Sequence, residues 1–169
     1  HELVMCYTAV RDGYKEVATH LNRLEASYPS DKEGQKEFYY GVRDAWNDGV
    51  NSQSELSDES VHERVAKTIF LNKTCFNGLF RVNKQGLFNV PCNYTAKPSF
   101  PSEADFREVH NSLHNTEIVV SDFEECEEFV DDATFVYFDP PYRPLSETSG
   151  FVSYSKGDFD DDDQRKLAD

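Results

Sequence analysis

The sequence predicts an α/β chain in which a helical first half gives way to part of an open, largely parallel sheet. Near the start, Leu3, Tyr7, Val10, Tyr14, Val17, Leu21 and Leu24 recur in steps of four and three, which is one helical stripe. Near the end, two continuous apolar runs, TEIVVSDF (116–123) and ATFVYFD (133–139), lead into Asp122 and Asp139. Strands buried on both faces of a parallel sheet have this composition. The acidic stretch between them, EECEEFV, reads as a short helix, completing a strand–helix–strand unit.

The elements follow in order. The stripe places the first helix over residues 1–26, as the packing face of a helix bundle. SYPSDKEG (27–34) is a loop by composition. A second helix is expected over Gln35–Trp46, with Phe38, Val42 and Ala45 on one face, and NDGVNSQS is expected to break it. Ser60 followed by Glu63 has the spacing of a capping box and starts a third helix, whose face is Val61, Val65 and Ile69. LFRVNKQGLFNV (79–90) holds two strand-like runs around Asn-Lys-Gln-Gly, which predicts a hairpin with Gly86 left-handed. After the proline-marked AKPSFPSEADF, Ser102 and Asp105 suit a further helix start, with Phe106, Val109 and Leu113 along its face.

Composition narrows the function. The 169 residues suit one domain, or a domain with an insertion. No apolar run approaches the roughly 20 residues of a membrane span. The formal net charge of −15, from 17 basic and 32 acidic residues, argues against broad, nonspecific nucleic-acid binding. The charge is uneven, however. Lys67, Lys73, Arg81, Lys84 and Lys97 lie in a stretch with no acidic residue between Arg64 and Glu103. Cys6, Cys75, Cys92 and Cys126 form no C-x-x-C pair or zinc spacing, and no metal site is expected. They read as reduced thiols of a cytoplasmic protein, with a Cys75–Cys92 disulfide disfavoured on redox grounds.

FVYFDPPYRP (135–144) raises the question of chemistry. A carboxylate at a strand end accepts hydrogen bonds, and prolines stiffen the loop without adding donors. Tyr142 offers a flat face for stacking on a base. Such a set suits an exocyclic amine: acceptors at Asp139 and the Pro140 carbonyl draw its protons out of the ring plane and free the lone pair. The competing reading is a plain turn after a strand. Asp122 likewise has two readings, an acceptor for a bound ligand or the N-cap of the acidic helix.

Three ordered stretches carry a family resemblance: CFNGLFRVNKQGLFNVPCN, FVYFDPPYRPLS and GFVSYSKGDFDDDDQRKLA. Together they resemble the Dam-type (D12 class) DNA adenine-N6 methyltransferases over nearly the whole chain. The resemblance implies a partial Rossmann-like, S-adenosylmethionine-dependent methyltransferase sheet with an inserted helical target-recognition domain carrying the hairpin. On that basis residues 1–100 form the recognition domain and 101–169 part of the catalytic domain. Asp139, Pro140, Pro141 and Tyr142 are implied to hold and activate a flipped adenine. Asp122 and Phe123 are implied to bind S-adenosyl-L-methionine. Phe76, Asn77, Leu79, Arg81, Lys84 and Pro91 are implied to meet double-stranded DNA, with Arg81 on a guanine and Lys84 on a phosphate. A GATC-like target follows, Thr95 leaving its outer base open. A monomer is expected, in a prokaryotic or phage-infected cell, with a cognate restriction endonuclease as a candidate companion.

Departures from the family pattern temper this. A glycine-rich cofactor loop, the acidic residue that grips the ribose and the last sheet strands are not in this sequence. The 169 residues by themselves are therefore expected to bind cofactor weakly or not at all. The rival readings are an N4-cytosine enzyme, which usually carries Ser where this chain has Asp139, and a catalytically inert DNA-binding piece. A proline-motif interaction protein is a more remote one.

Overall fold

One glycine interrupts the first helix at a point where His62 lies close by. The computed structural model describes residues 2–51, 58–94, 98–140 and 161–168. In it α1 runs Glu2–Ser27, and Gly13 within it leaves the helical region at φ −148°, ψ 47°. The missing side chain makes room for a neighbour: a Cβ at this position would meet His62 Nε2 at 2.4 Å. Val10, Val17 and Leu21 are buried, joined by Ala9 and Ala18, whereas Leu3 and Tyr7 are exposed.

α2 spans Lys32–Asn51 and α3 Asp58–Thr74. The expected break at NDGV does not occur, because tertiary contacts hold that end of α2 against its weak helix propensity. The Trp46 carbonyl accepts from Arg64 Nη1 at 2.9 Å, the indole N–H donates to Thr68 Oγ1 at 2.8 Å, and the Arg64 guanidinium lies 4.1 Å from the ring centroid. Arg64 is buried and is neutralised by Glu2 at 2.7 Å. α3 begins two residues before Ser60, so Ser60 falls in its first turn and not at the cap. α3 packs on α1 and α2, and α4 (Glu103–Leu113) packs on α1. α4 starts where Ser102 and Asp105 predict a helix start, and its cap is a capping box. Ser102 Oγ accepts from the Asp105 N–H at 3.2 Å, and Asp105 accepts from the Ser102 N–H at 2.7 Å. Phe106 is buried, while Val109 on the same predicted face is exposed. His110 Nδ1 meets the Arg11 carbonyl at 2.6 Å, and Arg11 donates to the Thr116 carbonyl at 3.0 Å.

Two compact units result, His1–Val119 and Val120–Asp169. The first contains the core, centred on Tyr39, Trp46, Val65, Phe70 and Leu71. The second holds a 3-10 helix, Phe123–Phe129, and α5, Asp161–Ala168.

The sheet expectation is not met among the described residues. Residues 116–122 and 133–139 carry no strand pairing, while the acidic segment is a short helix as expected, of the 3-10 type. A strand that buries both faces needs neighbours along both edges. None is provided among the described residues, and Phe135 and Tyr137 remain 89% and 78% exposed. The hairpin is likewise reduced to isolated antiparallel bridges, Cys75 with Cys92 and Val82 with Phe88.

Helix α2 compensates for that short ladder. Asn47 accepts from the Phe88 N–H at 2.7 Å and donates to the Phe88 carbonyl at 3.2 Å. Tyr39 donates its hydroxyl to the Val90 carbonyl at 2.8 Å, and burial pushes that phenol up, keeping it a donor. Phe80 and Phe88 pack edge-on to the Trp46 indole.

Two outcomes are expected. Gly13→Ala should destabilise the protein by about 1–3 kcal/mol through overpacking against His62, read as a lower urea midpoint. Adding His62→Ala should recover most of that loss. Asn47→Ala should leave both Phe88 backbone groups unpaired at a cost of about 1–3 kcal/mol, and amide exchange at Phe88 should quicken well before α1 unfolds.

Candidate nucleic-acid interface and catalytic loop

The return through residues 75–92 is an antiparallel excursion with two fixed points. At the neck, the Phe76 N–H donates to the Pro91 carbonyl and the Asn93 N–H to the Thr74 carbonyl, both at 2.9 Å. This pattern makes Cys75 and Cys92 a non-hydrogen-bonded pair, the kind in which side chains come closest. Both are free, buried thiols, and burial raises the pKa of each. Farther out, Val82 and Phe88 pair in the same way, through Asn83 N–H to Leu87 O at 2.9 Å and Asn89 N–H to Arg81 O at 3.3 Å.

Between the two bridges the outward leg has six residues and the return leg three. The surplus is absorbed by the 3-10 turn Phe76–Gly78, where Asn77 and Gly78 take φ of 56° and 62°. The tip is fixed by Asn83. Its side chain accepts from the N–H groups of Gln85 and Leu87 at 2.9 and 3.0 Å, and Gly86 turns with φ 79° as expected.

Period-two alternation then sorts the side chains. Phe80, Phe88 and Val90 turn toward the helices and are wholly or partly buried, while Leu79, Arg81, Asn89 and Pro91 are exposed on the other side. Phe76 and Asn77 are exposed on the 3-10 turn, and Lys84 is exposed at the tip. All six sequence-predicted DNA residues therefore lie on one loop with their side chains accessible. Phe76 leaves its ring 49% exposed. Thr95 and Lys97 fall outside the described residues.

Asn89 belongs to the same exposed face and was not singled out from the sequence. Its side-chain oxygen accepts from Arg81 Nε at 2.8 Å, and its carbonyl from Arg81 Nη2 at 3.5 Å. The available signal was the alternation within Phe88-Asn89-Val90, which turns the middle residue toward the side shared with Arg81.

The second unit holds the other predicted residues. Asp122 is the N-cap of the 3-10 helix, with Oδ1 accepting from the Glu124 N–H at 3.3 Å. Phe123 is half-buried. The run to Asp139 starts from a turn in which Asp131 accepts from Thr134 Oγ1 at 2.6 Å and from the Ala133 N–H at 3.0 Å. The Thr134 hydroxyl, then the Ala133 N–H, hold the Asp131 carboxyl below its usual range. Asp139 is exposed and Pro140 half-buried, while Pro141 and Tyr142 lie outside the described residues.

Comparison with known proteins bears on the whole length. A family model described as D12 class N6 adenine-specific DNA methyltransferase matches residues 1–169. The Type II methyltransferase M.MjaIII of Methanocaldococcus jannaschii is 46% identical over 168 residues, covering 99% of this chain and 56% of the relative. The Type II methyltransferase M1.LlaDCHI of Lactococcus lactis is 34% identical over 171 residues, covering 99% of this chain and 56% of the relative. The DNA adenine methylase of Escherichia coli is 33% identical over 132 residues, covering 78% of this chain and 44% of the relative. The chain thus spans about half the length of these curated relatives. With a family match over every residue and two relatives that each align with 99% of it, the chain belongs to the D12 class of N6 adenine-specific DNA methyltransferases.

Proposed function

We propose that the protein carrying this chain transfers a methyl group to N6 of adenine in double-stranded DNA, with this chain supplying the sequence-reading loop and the catalytic carboxylate. The observation that carries the reading is the exposed loop face of Leu79, Arg81 and Pro91, with Phe76, Asn77 and Lys84 beside it, in a member of this family. Residues 1–100 act as the recognition domain and 101–169 as part of the catalytic domain. Arg81 donates to a guanine edge, the commonest specific side-chain contact in the major groove. Leu79 and Pro91 pack on a thymine methyl, Phe76 wedges at the base stack, and Lys84 neutralises a phosphate. A GATC-like site is the first target to try.

Catalysis rests on positioning and electrostatics. Adenine N6 is a poor nucleophile because its lone pair is delocalised into the ring. Extrusion from the duplex brings it to the Asp139-Pro140-Pro141-Tyr142 segment. Asp139 and the Pro140 carbonyl accept hydrogen bonds from its two N–H groups, the lone pair localises on nitrogen, and Tyr142 stacks on the ring. Asp139 would then take the proton that N6 sheds on accepting a methyl group from a bound donor, and pass it to water.

S-Adenosyl-L-methionine, when bound, supplies the methyl group on a sulfonium. The described residues offer a fit for its adenine: an exposed carboxylate at Asp122, of which Oδ1 serves the cap, next to the half-buried Phe123 ring. Asp122 would accept from the cofactor's exocyclic amine and Phe123 would pack beside the ring.

The test is tritium transfer from S-adenosylmethionine to DNA by the full-length protein. Asp139→Ala should lower transfer by about 10²–10³-fold, with duplex binding retained in a gel-shift assay. Undiminished transfer would rule out the catalytic assignment. Arg81→Ala should weaken discrimination at one guanine of the site by about tenfold while leaving methylation of poor sites nearly unchanged.

A further inference from the structure

We propose that Asn89 is a positioning residue for Arg81, fixing which edge of the guanidinium faces DNA. The inference rests on the reading of Arg81 as the guanine-reading residue and adds what makes it selective. An arginine on an exposed loop has several rotatable bonds, and its fork can approach a base through either of two edges. Here the Nε edge is already engaged: Nε donates to Asn89 Oδ1 at 2.8 Å and Nη2 makes a long contact to the Asn89 carbonyl at 3.5 Å. What remains is the end-on pair, Nη1 and the outer hydrogen of Nη2, which matches two acceptors side by side such as guanine O6 and N7.

The brace is itself held. Asn89 lies next to the Val82–Phe88 bridge, and its N–H donates to the Arg81 carbonyl at 3.3 Å. Its chain neighbours Phe88 and Val90 are tied to Asn47 and Tyr39. The Asn89 side chain therefore projects from a fixed backbone, and Arg81 is ordered before DNA arrives. Ordering before binding removes an entropic cost that a free arginine meets at the interface. Asn suits the position better than Asp would: it accepts from Nε without placing a negative charge where phosphates approach.

The test uses the full-length protein, the duplex it methylates best, and the same duplex with each guanine of the site replaced in turn by 7-deazaguanine, which lacks the N7 acceptor. The wild type is expected to lose about tenfold in kcat/KM at one guanine position. In Asn89→Ala that penalty should shrink to below about threefold, with the wild-type melting temperature retained. Asn89→Asp keeps the acceptor, so the penalty should persist even where added charge raises KM. A penalty unchanged in Asn89→Ala, or lost equally in Asn89→Asp, overturns the positioning role. A wild-type protein indifferent to every 7-deazaguanine, or matched by Arg81→Ala, overturns the guanine reading of Arg81 itself and this inference with it. A wild type that methylates no duplex overturns the proposed activity.

Discussion

Asn47 exchanges two hydrogen bonds with the backbone of Phe88, and the loop of residues 75–92 depends on that exchange. In an antiparallel pair, the N–H and carbonyl of a non-hydrogen-bonded residue point away from the partner leg. Phe88 is such a residue, and at a sheet its outward groups would meet another strand. Here an amide side chain on α2 meets them instead, at 2.7 and 3.2 Å, as a peptide group would. The Tyr39 hydroxyl does the same for the Val90 carbonyl. With only two bridges, the excursion lacks the ladder needed to hold its own register, and an isolated two-stranded ribbon is marginal in water. Helix α2 supplies the missing edge, while its Trp46 fixes the buried side through Phe80 and Phe88.

That arrangement reconciles an acidic protein with the DNA-reading role proposed for the loop. A net charge of −15 repels a polyanion at long range, but within a Debye length of about 8 Å only the local charge counts. Local charge on the exposed loop is positive, from Arg81 and Lys84, and no acidic residue lies in the sequence between Arg64 and Glu103. The other basic groups of that stretch are partly committed elsewhere. Arg64 is buried against Trp46 and Glu2, and Lys67 pairs with Glu63 at 2.8 Å. Few phosphate contacts and a strong base contact would make binding depend more on sequence and less on salt.

The helical part was legible because its signals are local. The stripe of α1, the Ser102–Asp105 capping box and the left-handed Gly86 each need only a few neighbouring residues to be recognised. What escaped were features decided by distant partners. The bend at Gly13 depends on His62, the extension of α2 through Asn51 on Arg64 and Phe88, and the bracing of Arg81 on Asn89. The apolar runs 116–120 and 133–138 failed in the opposite direction. Their composition suits strands buried on both faces, yet strand composition specifies a need for neighbours and not their presence. Among the described residues that need is unmet, and Val119, Val120, Phe135 and Tyr137 stay exposed.

Asp122 shows how two readings of one residue need not compete. As an N-cap it uses a single oxygen, Oδ1, on the Glu124 N–H at 3.3 Å. A carboxylate has acceptor positions on both oxygens, so Oδ2 keeps the capacity that a ligand amine would need. The cap also restrains the torsion about the Cβ–carboxyl bond, which a free surface aspartate samples widely. The structural role therefore sets the direction in which the second oxygen can accept. An alanine at this position would remove both functions at once. An asparagine would retain the capping oxygen but place an amide nitrogen where the proposed amine contact needs an acceptor. The comparison of these two substitutions, cap retained against cap lost, is what separates helix stability from ligand binding at this residue.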